Sequence, residues 1–145
     1  MNTMELGALL ADPTQAGAYF VDVRDRESLV EAGGVLQFAV LPMDLRGCAD
    51  ADAAMPEIAE AMRFPDWFGG NLDALADCLA DLSWLPAEGY VLVLEHTGDW
   101  RAQDPETMGM VLEILNDTAT RWAQDRVPFW AFLPVSAQEL EAINA

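Results

Sequence analysis

Asp73, Asp77 and Asp81 stand four residues apart in one segment. At about 100° per residue, a helix places Asp77 about 40° and Asp81 about 80° around its axis from Asp73. Leu72, Leu75, Leu79 and Leu82 fall between about 180° and 260° on the same wheel. The leucines therefore form an inward stripe and the aspartates an outward one. Ala76 and Ala80 sit between the carboxylates and leave them sterically open. Like charges at this spacing weaken a helix by roughly 0.2–0.5 kcal/mol per pair. Asp73, in the first turn, recovers part of this from the helix dipole, whereas Asp77 and Asp81 gain little. A row of open carboxylates can receive the cations of a partner as a row of phosphates does. A merely solvated acidic face is the plain alternative.

The residues before this helix sharpen the choice. Phe64-Pro65-Asp66-Trp67-Phe68-Gly69-Gly70-Asn71 sets two adjacent large rings beside two glycines, and Asn71 is a good N-cap. Neighbouring rings around a turn do not both point into one core, so Trp67 is expected at the surface. An exposed tryptophan beside charged anchors is the usual makeup of a binding hot spot.

Other chemistry is poorly supplied. Glu95 and His96 could do acid–base work, but no nucleophile is spaced to join them. Asp50 and Asp52 near Cys48 fit neither a calcium loop nor a zinc site and read as a capped helix start. Cys78 falls on the helix flank, as a half-buried structural thiol. No glycine-rich phosphate loop follows a strand. The expectation is a protein that is not an enzyme and needs no cofactor and no metal.

The chain has 145 residues, 52% of them hydrophobic, which suits one folded domain. Seven basic residues, all arginine, face 25 acidic ones for a net charge of −18. Such a surface repels nucleic acid and anionic membranes and attracts basic partners. No run approaches the ~20 apolar residues of a membrane span. With no leader pattern, the two cysteines read as reduced thiols of a cytoplasmic protein.

The elements that must carry these residues alternate. Helix is expected over Thr3 to Leu10, from Asp25 as N-cap to Ala32 with Gly33-Gly34 as a left-handed stop, and from Asp50 to about Arg63 with Pro56 in its first turn. Helix is also expected from Asn71 to about Leu82, from Asp104-Pro105 to about Trp122, and after Ser136. Strands are expected at Tyr19–Val23, Val35–Leu41, Tyr90–Glu95 and Phe129–Leu133. Met108, Met110, Trp84, Trp100, Trp122 and Trp130 read as core. The alternation predicts an α/β layer structure with a small, mostly parallel sheet.

Phe64-Pro65-Asp66-Trp67-Phe68-Gly69-Gly70-Asn71-Leu72-Asp73-Ala74-Leu75-Ala76-Asp77-Cys78-Leu79 resembles the signature of the barstar family. The likeness covers roughly Val35 to Val135. It implies a three-stranded parallel sheet packed with helices over 35–135, with residues 1–34 as an extension that adds a strand and helix to one edge. It also implies an inhibitor that blocks a basic ribonuclease of the barnase type with an acidic helix. Position by position, Asp77 matches the aspartate that fills the enzyme's phosphate site, and Asp73 one at the rim of the same cleft. Trp67 matches an aromatic that stacks on the catalytic histidine, and Gly69 and Asn71 match the turn that enters the interface. Asp117 matches an acidic residue at the edge of the contact. Ala76 replaces a tryptophan of the family helix, Ala80 a hydroxyl and Gly70 an acidic residue. The alternative expectation is an acidic immunity protein for a different toxin, or a nucleic-acid mimic.

Overall fold

The computed structural model describes residues 2–145; Met1, the first residue of the expected domain, lies outside them. Four strands form one sheet, β1 (Ala18–Asp22), β2 (Ala39–Asp44), β3 (Tyr90–Glu95) and β4 (Phe129–Val135). Their order is β1-β4-β3-β2, and every neighbouring pair is parallel. Ala18, Ala131, Leu92 and Leu41 make one row across it. Three strands were expected from the family likeness, and the fourth is β1, which joins the sheet beside β4.

Parallel strands need helical crossovers, so helices cover both faces. One layer is α3 (Ala51–Met62), α4 (Leu72–Asp81) and α6 (Pro105–Gln124). It packs on Leu41, Met43, Tyr90, Leu92, Leu94, Phe129, Ala131 and Leu133. The other layer is α1 (Thr3–Leu10) and α2 (Arg26–Val35), which pack on Val91, Val93, Trp130 and Phe132. Successive residues of β3 and β4 thus serve opposite layers, as the pleat requires. Trp130 Nε1 donates to the Leu10 carbonyl at 2.9 Å and ties α1 to β4. Two short helices, α5 (Gly98–Gln103) and α7 (Ala137–Ile143), follow β3 and β4. No helix among the described residues is long and apolar enough to cross a membrane.

Several local expectations need correction. The apolar run at Val35 does not begin a strand. Helix α2 continues through Val35, which is 70% exposed, and the chain turns at Gln37 with φ of 62° before β2 starts at Ala39. Gly33 and Gly34 are therefore helical, not a left-handed stop. Gly33 has a packing reason: a Cβ there would stand 3.2 Å from Cγ2 of both Val40 and Val91. Asp25 makes no side-chain cap; Asp22 accepts from the Arg24 N–H instead. Pro56 lies in the interior of α3, beyond the first turn and exposed, where it removes one hydrogen bond on the solvent side. Met110 is 42% exposed, on the outer side of α6. Cys78 is fully buried, because α4 rests its flank as well as its leucine stripe against neighbours. Helix α5 has no counterpart in the expected elements.

Candidate partner-binding face

Helix α4 is held from three sides. Asn71 Oδ1 accepts the Ala74 N–H at 2.8 Å and caps the first turn. Leu75, Leu79 and Leu82 are buried in the core beneath the helix. Trp122 of α6 donates from Nε1 to the Leu79 carbonyl at 2.8 Å, fastening the two helices together. Leu82, with φ of 48°, ends the helix in the left-handed conformation. The helix cannot rotate without breaking all three, so the opposite stripe is fixed outward.

That stripe is Asp73, Asp77 and Asp81, all exposed. Among the described residues none of the three forms an ion pair. Successive carboxylates rise about 6 Å along the axis. Ala76 and Ala80 lie between them, half-buried. Gly69 and Asn71 are exposed at the turn that enters the helix, and Gly70 takes a φ of 73° there. Asp117 is exposed on α6, the helix packed beside α4.

Trp67 is 61% exposed, as the sequence leads one to expect. Its neighbour Phe68 turns inward against Phe64, with ring centroids 4.8 Å apart. Trp84, expected in the core, is only half-buried and stands edge-on to Trp67, at 6.0 Å and 84° between planes. Trp84 is itself pinned by a 3.2 Å hydrogen bond from Nε1 to the Met62 carbonyl. Trp67 thus projects from a rigid support. Sequence reading missed this role of Trp84; its place just after α4 was the available signal.

The remaining candidates resolve into structural roles. Glu95 does not face His96; it accepts from Arg26 Nε at 2.6 Å. His96 lies 2.7 Å from Asp44 through Nδ1 and 3.0 Å from Arg46 through Nε2. Asp50 caps α3 by accepting from the Ala53 N–H at 2.8 Å. Cys48 and Cys78 are free, and burial, reinforced by nearby carboxylates, pushes both thiols up, so they stay protonated. The described residues hold no group of three or more His, Cys, Asp or Glu placed to bind a metal ion.

The first 34 residues leave the acidic stripe open, because α1 and α2 lie on the opposite face of the sheet. No curated protein matches the chain. The family model described as Barstar (barnase inhibitor) matches residues 38–134, which run from the approach to β2 almost to the end of β4 and include the whole of α4. By that match the chain belongs to the Barstar (barnase inhibitor) family.

Proposed function

We propose that this protein inhibits a small basic ribonuclease of the barnase type by laying the α4 face into its active-site cleft. Asp77 and Asp73 stand in for RNA phosphates, Trp67 stacks at the cleft, Gly69 and Asn71 bring the turn into contact, and Asp117 closes the edge. Ala76 and Ala80 keep the floor between the carboxylates low. The observation that carries this reading is the row of exposed carboxylates that pair with no cation among the described residues, on a helix clamped at cap, core and backbone. In a chain of net charge −18, such a row gives fast, salt-sensitive association with a basic partner. The inhibitor would act in the cytoplasm, where its two thiols stay reduced.

Ala76, where the family helix carries tryptophan, favours a partner whose cleft wall differs from the one that the tryptophan meets. An immunity role against a different toxin is therefore the second reading. Titration against a panel of basic ribonucleases and other nuclease toxins separates the two. We expect tight inhibition of a ribonuclease, and a loss of at least about 100-fold in Asp77→Ala, equivalent to about 3 kcal/mol at a buried charged contact. An unchanged inhibition constant in a folded Asp77→Ala protein would remove α4 from the interface.

A further inference from the structure

A crevice of about 390 Å³ opens beyond the carboxyl ends of the strands, away from the side chains of the α4 face. In parallel α/β sheets this is the edge where small ligands bind. Val23, Pro134 and Val135 give the crevice an apolar side, and Arg46, His96 and Arg101 a polar one.

The two arginines are held in place with donors to spare. Arg101 donates from Nε to Thr97 Oγ1 at 3.1 Å and from Nη2 to Glu139 at 2.5 Å. Its guanidinium also lies 5.6 Å over the Phe20 ring. Among the described residues Nη1 has no acceptor. Arg46 is fixed differently. A guanidinium can only donate, so His96 Nε2 must accept from Arg46. The imidazole proton then sits on Nδ1 and is donated to Asp44. His96 in this arrangement is neutral, and Arg46 forms no ion pair among the described residues. His96 holds this position with a left-handed backbone, φ of 59°. Thr97 is 1% exposed, and its hydroxyl accepts from Arg101 with no acceptor for its own proton among the described residues.

We infer that this crevice binds a small organic anion, its carboxylate or phosphate monoester held by Arg46 and Arg101 and its apolar body against Val23, Pro134 and Val135. Two carboxylates border the same space. Glu139 is already engaged by Arg101 and by the Ser136 hydroxyl at 3.1 Å. Asp99 is exposed, where solvent screens it. Neither neutralises Arg46. The inference is independent of the ribonuclease partner, because it uses none of the α4 side chains.

The test is titration of the full chain, followed by backbone amide NMR, with benzoate and with phenyl phosphate at constant ionic strength. Benzyl alcohol and chloride serve as controls. The expected result is saturable shifts confined to the amides that line the crevice, Val23, Arg46, His96 to Arg101, Val135 and Ser136, with no shift along α4. Saturation by benzoate at lower concentration assigns a carboxylate ligand, and by phenyl phosphate a phosphate monoester. Arg46→Gln should weaken binding at least tenfold, and Arg46→Lys, which keeps the charge and loses the fork, should fall between. Arg46 is exposed, so both variants should keep the native spectrum. Shifts that rise linearly without saturating, an equal response to benzyl alcohol, or an unchanged titration in Arg46→Gln would overturn the inference.

Discussion

Among the described residues Asp73, Asp77 and Asp81 on α4 pair with no cation, whereas most carboxylates at the strand ends do. Asp22 closes β1 and binds Arg24, Glu95 closes β3 and binds Arg26, and Glu139, beyond β4, binds Arg101; Asp44, which closes β2, instead accepts a hydrogen bond from the neutral His96. The chain has only seven arginines and no lysine, so their placement decides where negative charge stays uncompensated. Four of them, Arg24, Arg26, Arg46 and Arg101, are gathered at the strand ends. The acidity of the α4 face is therefore local as well as general. Like-charge repulsion there is a standing cost, and the leucine side of the same helix supplies the burial that offsets it.

The contrast can be broken from either side. The largest change in stability should come from the inward side of α4. Leu79→Ala should destabilise the protein by about 3 kcal/mol, lowering the melting temperature by roughly 6–12 °C. A shift below about 2 °C would mean that α4 is not anchored by its leucines. Next comes the second helical layer. Gly33→Ala gains helix propensity but drives a Cβ to 3.2 Å from Val40 and Val91, for a net loss of about 1 kcal/mol by urea unfolding. Smaller still, and of opposite sign, is Asp77→Asn. Removing its repulsion with Asp73 and Asp81 should stabilise the free protein by roughly 0.5 kcal/mol while inhibition collapses. Stability and binding moving in opposite directions would mark the face as built for a partner.

The last effect belongs to the strand ends. The Arg24 guanidinium lowers the Asp22 carboxyl to about 2. His96 and the Arg46 N–H lower Asp44, and Arg101 lowers Glu139. These carboxyls protonate more readily in the unfolded chain, so their contribution is complete above about pH 5. It falls away as the pH drops towards about 2. Urea midpoints measured from pH 5 to pH 2 should fall, and Glu139→Gln should flatten part of that fall. Because these pairs are largely exposed, the change is expected to be modest.

The acidic stripe, its leucine backing and its Asn71 cap were all legible in the sequence, because a regular helical period places side chains without help from the rest of the fold. The same holds for β3 and for the Asp104-Pro105 start of α6. What could not be read depended on distant contacts. Val35-Leu36-Gln37-Phe38 has strand composition, yet Gly33 lets α2 approach β2 and β3 closely, and the helix runs on through Val35. Met110 was indistinguishable from a core methionine, because α6 is long enough for its outer side to leave the core. The support of Trp67 by Trp84 crosses the whole of α4, and only the place of Trp84 just after that helix hinted at it. The gathering of Arg46, His96 and Arg101 follows from strand order alone.

Strand β1 hydrogen-bonds to β4, so the first strand of the sheet takes the last strand in chain order as its neighbour. While the chain is still emerging from the ribosome, α1 can meet α2 but has no Trp130 to donate to its Leu10 carbonyl. Closure of that layer must wait until β4 has been made, a long-range step of the kind that slows folding. A nascent chain arrested before Phe129 should therefore leave α1 and α2 open to protease, and a released chain that includes β4 should protect them.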